Sequence, residues 1–347
     1  MQIELPISKS ITNRWLMLQA IHGDELMPVS DSMPDDVQIL HNALTTLRTF
    51  KTSKTLSTPH IDVGNCGTAM RFLTAYCAQL EGQTVILDGV ERMCHRPIGQ
   101  LVDALREIGA DLEYLGEEGF PPLRIKGCIL DKHRMVTINN PQSTQYISAL
   151  LLIGANVITN STSPYIYITQ EVIKQYQLSP FSFHLTVEKD WSSAAFWYEY
   201  VALHGGEITL PGLSRDSLQG DKVVADIFAQ LGVTTQYMEE GIVIYPSPLQ
   251  STTYTLHQDF SACPDLYPAV ALTCERLGVE LHATGVESLR LKESDRLRAV
   301  REHRTDADHR MAMALLIAGY EVDDTACISK SYPQFIEQWK SVNTSNE

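Results

Sequence analysis

At 347 residues, with 44% hydrophobic and 20% charged side chains, the chain is expected to form roughly two domains. No apolar run approaches the roughly 20 residues that span a bilayer, and the first six residues lack a basic stretch leading into an apolar one, so a cytoplasmic protein outside the membrane is expected. A formal charge of −15 argues against nucleic acid as a partner, and seven cysteines, never spaced Cys-x-x-Cys, argue against a disulfide framework or a zinc site.

In chain order, three polar strings lead into apolar helical runs. Ser8-Lys9-Ser10-Ile11-Thr12-Asn13-Arg14 precedes residues 15–18, Gly64-Asn65-Cys66-Gly67-Thr68 precedes residues 69–73, and Ser143-Thr144-Gln145 precedes residues 146–151. Each predicts a helix N-terminus, where free N–H groups and the helix dipole favour anions. Singly, each reads more simply as an N-cap. Jointly with Lys9 and Arg14 they point to a small anionic ligand. Other cations (Arg71, Arg96, Lys292, Arg296, Arg310, Lys330) also sit in short polar motifs, so an acidic protein keeps a locally positive pocket for a phosphate or carboxylate metabolite.

A repeat emerges when residues 83–89, 206–212 and 279–285 are aligned on their closing glycines. Each predicts a strand followed through a polar loop by a helix. The first two helices, 101–108 and 223–231, stop at glycine. Each is followed by a hairpin: 111–114 with 123–125, and 234–237 with 242–245. The third copy lacks both, its helix at 294–300 running straight on to residue 305, and a second shortfall follows a helix at 170–176. A compact variant and a sequence from which mobile stretches are missing both fit; the second is the expectation.

Lys292-Glu293-Ser294-Asp295-Arg296, with Asp308-His309-Arg310 close behind, packs acids, bases and cations together. Such a set suits proton movement on an anionic substrate without metal or organic cofactor. The plainer reading is a solvated helix with i,i+3 ion pairs. His303, Asp306, Asp308 and His309 show no organised ligand spacing, so no metal is expected. Trp15, Trp191, Trp197 and Trp339 read as core or interface aromatics.

These strings, together with Arg71, Arg96-Pro97-Ile98-Gly99, Pro264-Asp265 and Lys330-Ser331-Tyr332-Pro333, give the chain from Leu5 to about Trp339 a resemblance to the 5-enolpyruvylshikimate-3-phosphate synthases. The resemblance implies an α/β fold: a two-domain inside-out α/β barrel of strand-helix-hairpin units. On it, 1–8 plus 241–347 would form one domain and 9–240 the other, with crossings near Ser8 and Gly241 and the site in the cleft between them. It further implies transfer of the enolpyruvyl group of phosphoenolpyruvate to the 5-hydroxyl of shikimate 3-phosphate by a monomer in aromatic amino-acid biosynthesis, with no metal or cofactor. Asp265 would hold or deprotonate the hydroxyl, Glu293 would handle the methylene proton, Lys9 would serve the reacting oxygens, and His309 would be an auxiliary proton group. Lys9, Gly67, Arg96, Arg296, Arg310 and Lys330 match phosphoenolpyruvate positions. Ser10, Arg14, Ser143, Thr144, Asp265 and Lys292 match shikimate 3-phosphate positions, Gln145 matches both, and Asn65 completes its motif. Ile7 and Ser288 depart from the family's usual glycine and asparagine, leaving one substrate contact at Ser288 open. The alternatives are UDP-N-acetylglucosamine enolpyruvyl transferase, for which Cys94 is the tempting residue, and a non-catalytic remnant that binds anionic metabolites.

Overall fold

The computed structural model describes residues 1–52, 58–178, 188–248 and 255–344. The chain divides into two compact units, an N-side unit of Ser10–Ser30 and Asp36–Thr186 and a C-side unit of Met1–Lys9, Asp31–Asp35 and Val187–Glu347.

The N-side stretch runs α1 (Lys9–His22), α2 (Asp35–Thr52), β1 (His60–Asp62), α3 (Gly67–Ala78), β2 (Thr84–Asp88), α4 (Glu91–Cys94), α5 (Gly99–Glu107), β3 (Asp111–Tyr114), β4 (Leu123–Lys126), β5 (Met135–Thr137), α6 (Gln145–Leu152), β6 (Asn156–Ile158) and α7 (Pro164–Leu178). One sheet has the order β1-β2-β4-β3, with β1 parallel to β2 and the hairpin antiparallel. Period-two alternation sets its register. Val85 and Leu87 on β2 lie opposite Ile125 and Leu123 on β4, and all four are fully buried. The helix α5 stops where Gly109 turns left-handed at φ 98°. At Gly89 a Cβ would lie 2.5 Å from the Gly64 carbonyl oxygen, so the repeat's closing glycine admits a crossing backbone. The strands β5 and β6 form a separate parallel pair, with Met135 and Ile158 exposed on it.

The C-side stretch continues with α8 (Trp191–His204), β7 (Ile208–Pro211), α9 (Val224–Gln230), β8 (Val233–Met238), β9 (Gly241–Pro246), β10 (Thr255–Asp259), α10 (Tyr267–Leu277), β11 (Glu280–Thr284), α11 (Arg296–Glu302), α12 (His309–Ile317) and α13 (Phe335–Thr344). The second repeat copy folds as the first does, with order β7-β9-β8 and Ile208 and Leu210 paired to Ile244 and Ile242. Its core is built on α8, whose Trp191, Phe196 and Trp197 pack with residues of α10 and α12. Trp15 is likewise buried, and Trp339 packs against the C-side core.

The third copy is short. Its sheet is the parallel pair β10-β11 among the described residues, and α11 gives way to α12 within seven residues. The backbone is continuous there, Arg304 N–H donating to Ala299 O at 3.0 Å and Asp308 N–H to Thr305 O at 2.9 Å. The given sequence thus runs directly from α11 into α12, with neither a stop glycine nor a hairpin between them. His303 takes the left-handed cap that glycine fills elsewhere, φ 51°, and Asp306 and Ala307 follow at 46° and 56°. The other shortfall, beyond residue 178, falls on 179–187, outside the described residues.

The units do not follow the expected division into 1–8 with 241–347 against 9–240. Residues 188–240 belong with the C-side unit because β7 lies between β9 and the N-terminal segment. Ile3 N–H reaches Thr209 O at 2.9 Å, and Asp190 N–H reaches Pro6 O at 3.0 Å. Residues 31–35 join the same unit, Gln334 Nε2 donating to Ser32 O at 2.6 Å. Ile7, at the departure from the family's glycine, bridges Lys189.

Candidate active site

Helix starts place the C-side cluster. Asp265 lies in the turn just before α10, Asp295 caps α11 by accepting Arg298 N–H, and Asp308 caps α12 by accepting Arg310 N–H. These caps aim Arg296 and Arg310 inward. Asp265 Oδ1 accepts Lys292 Nζ at 3.2 Å and Arg296 Nη1 at 2.7 Å, while Oδ2 accepts Arg310 Nη2 at 3.0 Å. Glu293 accepts Lys330 Nζ at 2.7 Å and Arg296 Nη2 at 3.2 Å. Behind them Arg296 Nε donates to the buried Asp308 at 2.8 Å. Positive and negative groups thus alternate, the arrangement that makes burial of several charges tolerable.

Burial pushes the Asp265 carboxyl up, but Arg310, Lys292 and Arg296 outweigh it and hold the group well below the usual carboxylate range. Lys292 is shifted down by burial, with Asp265 opposing. Arg296 is raised because Asp308, Asp265 and Glu293 outweigh its burial. His309 is buried, and neither ring nitrogen has a hydrogen-bond partner among the described residues. Burial, then Lys9 and Arg310, hold it well below its ordinary value, so its imidazole is neutral. Ser288 is half-buried in the turn Glu287–Leu291 and makes no side-chain hydrogen bond among the described residues.

In the N-side unit the expected helix N-termini are present at α1, α3 and α6. Cys66 caps α3, its Sγ accepting Ala69 N–H at 3.4 Å. Arg96 Nη1 lies 3.4 Å from both the carbonyl and the side-chain oxygen of Asn65. A Cβ on Gly67 would sit 2.7 Å from Arg96 Nη2 and 2.9 Å from Arg71 Nη1, so this glycine makes room for two guanidinium groups. Gln145 Nε2 donates to Thr68 Oγ1 at 3.0 Å, and Ser143 Oγ accepts Gln145 N–H at 3.3 Å, with Thr144 between them. Arg14 is 3% exposed. It donates to Ser10 O, Ser148 Oγ, Tyr165 O and Thr169 Oγ1 at 2.7 to 3.1 Å, bracing α1 against α6 and α7.

The structure therefore joins Asp265, Lys292, Glu293, Arg296, Arg310 and Lys330 in one unit, and Asn65, Gly67 and Arg96 in the other, by direct contact. Sequence reasoning gave Asp308 and Arg71 only a share in their motifs and gave Asp221 no role. Asp308 and Arg71 stood inside motifs that were read for their other members, and Asp221 stood in none. Cys94 is half-buried, and burial followed by Asp88 raises its thiol, which is the opposite of what a nucleophilic cysteine needs.

Comparison with known proteins bears on the family and the fold. The family model for EPSP synthase (3-phosphoshikimate 1-carboxyvinyltransferase) matches residues 1–303 and again 300–339, breaking where α11 runs into α12. A curated 3-phosphoshikimate 1-carboxyvinyltransferase of Bacteroides fragilis is 37% identical over 395 aligned positions, covering 96% of this chain and 93% of the relative. One from Colwellia psychrerythraea is 30% identical, covering 99% and 96%. The 395 positions exceed the 347 residues here by 48, so at least that many positions of the Bacteroides fragilis relative have no counterpart in this chain. A solved EPSP synthase from Acinetobacter baumannii matches with a TM-score of 0.66 over 97% of this chain and 94% of that one. At 19% identity it speaks for the fold alone, the inside-out α/β architecture expected from the sequence. The chain belongs to the EPSP synthase (3-phosphoshikimate 1-carboxyvinyltransferase) family.

Proposed function

We propose that this chain transfers the enolpyruvyl group of phosphoenolpyruvate to the 5-hydroxyl of shikimate 3-phosphate with release of phosphate, serving aromatic amino-acid biosynthesis as a cytoplasmic monomer. The observation that carries this reading is the ionised Asp265 carboxylate held by Lys292, Arg296 and Arg310 next to the Glu293–Lys330 pair. A site that only bound anions would need the cations and not these carboxylates.

The hydroxyl oxygen adds to the enol carbon while the methylene takes a proton, giving a tetrahedral ketal phosphate. Loss of a methyl proton with departure of phosphate then restores the double bond. Asp265 accepts the hydroxyl hydrogen, and Glu293, 2.7 Å from Lys330, exchanges the methyl proton. Lys9 serves the reacting oxygens, and neutral His309 keeps one ring N–H to donate and one ring nitrogen to accept a hydrogen bond. Arg96, Arg296, Arg310 and Lys330 take the charges of phosphoenolpyruvate, with Gly67 at its N-side contact. Ser10, Ser143, Thr144 and Lys292 take shikimate 3-phosphate, Arg14 bracing the helix that carries Ser10, and Gln145 and Asn65 flank both. The raised Cys94 thiol weighs against the UDP-N-acetylglucosamine reading.

The test is phosphate release from purified protein given phosphoenolpyruvate, with and without shikimate 3-phosphate. Release that requires both substrates is expected. Binding of shikimate 3-phosphate without any release would instead mark a binding remnant.

A further inference from the structure

Asp221 lies in the short turn Gly220–Val223 ahead of α9 and is 3% exposed. Its Oδ2 accepts the hydroxyl of Ser192 from the first turn of α8. Its Oδ1 is buried without a hydrogen-bond partner among the described residues, and the same holds for Nη1 of Arg310. The charged groups facing Asp221 from other elements are Asp190 at the start of α8, Asp265 before α10 and Arg310 on α12; the Cys263 thiol also lies within its field. Burial, then Asp265, lift the Asp221 carboxyl to about 7, with Arg310 and Ser192 opposing. A buried carboxylate is costly until it is paired, and an unpaired arginine donor lies within its field. Arg310 meanwhile gives Nη2 to Asp265 Oδ2, and loosening that bond would leave Asp265 a stronger acceptor for a substrate hydroxyl.

We propose that Asp221 is a positioning residue for Arg310, taking that guanidinium through its unpaired Oδ1 as bound phosphoenolpyruvate draws Arg310 away from Asp265. The inference rests on the reaction proposed above. It gives Arg310 two anchors, Asp265 and Asp221, so that Asp265 is released to the hydroxyl while Arg310 stays oriented. Only ionised Asp221 holds a guanidinium strongly.

The test is the pH dependence of kcat/KM for phosphoenolpyruvate in wild type, Asp221→Asn and Ser192→Ala, with thermal unfolding followed in parallel. Wild type is expected to lose kcat/KM as pH falls through about 7. In Asp221→Asn that acid limb disappears and the plateau drops about 10- to 100-fold, mostly through KM. In Ser192→Ala the limb moves to higher pH, because the hydroxyl favours the ionised carboxylate. An Asp221→Asn enzyme with the wild-type limb overturns the proposal, whether its activity is unchanged or uniformly reduced. If Asp221→Asn does not fold, an unmoved limb in Ser192→Ala overturns it. If the wild type releases no phosphate, the reaction reading fails. Calorimetric binding of phosphoenolpyruvate across the same pH series then decides on Asp221 alone, with the same loss expected in Asp221→Asn.

Discussion

The first and third repeat copies start alike and finish differently. In the first, β2 is flanked by β1 and the hairpin β3-β4, and Val85 and Leu87 are fully buried. In the third, β11 pairs with β10 alone among the described residues, and the corresponding Leu281 and Ala283 are only half-buried. Yet the shortened copy carries Asp265, Lys292, Glu293 and Arg296, the densest chemistry in the molecule. Hairpins in this architecture supply burial, whereas the loops that open helices supply the reacting groups. A copy can therefore lose the first without losing the second.

The sharpest way to break that separation is at the chemistry of the shortened copy. Asp265→Asn is expected to lower turnover by about 10²- to 10⁴-fold, read as phosphate release; a variant keeping most of its activity would mean the short copy no longer catalyses. Next come matched truncations in the two sheets. Leu123→Ala, at a fully buried position of the hairpin, should cost about 2–5 kcal/mol in urea unfolding. Leu281→Ala, on half-buried β11, should cost about 1 kcal/mol or less because little of the side chain leaves water on folding. Equal costs would show that the short copy is as well covered as the complete one. Gly67→Ala tests the first copy's helix start: its Cβ displaces the Arg96 guanidinium, so kcat/KM for phosphoenolpyruvate should fall about 10- to 100-fold with stability nearly kept. The smallest effect is expected at the junction, where His303→Gly should stabilise by about 1 kcal/mol by relieving a left-handed non-glycine cap. Loss of the His303 stack on Tyr320 and its bond to Glu275 works against that gain.

Much of this was legible in the sequence because the signals are local. The strings at 8–14, 64–68 and 143–145 do open helices, and the strands, helices and hairpins of the first two copies lie within a few residues of their expected places. Glycine stops and alternating apolar residues carry that information without tertiary help. The return between units was misplaced because a continuous polypeptide does not announce which sheet its next strand joins. That choice rests on Thr209 meeting Ile3 from more than 200 residues away. Arg14 was expected to face a ligand, but its setting among Ser148, Tyr165 and Thr169 depends on α6 and α7 packing. Asp221 escaped notice for the same reason: its meaning comes from Arg310 and Asp265, both distant in sequence.

The direct join of α11 to α12 has a consequence for the unfolded chain as well. Arg296 and Asp308 are 12 residues apart, so forming their buried ion pair closes a small loop. Each doubling of such a loop adds about 0.6 kcal/mol of closure entropy. With these two residues so near in sequence, the halves of the cation-carboxylate cluster come together from a narrow set of unfolded conformations.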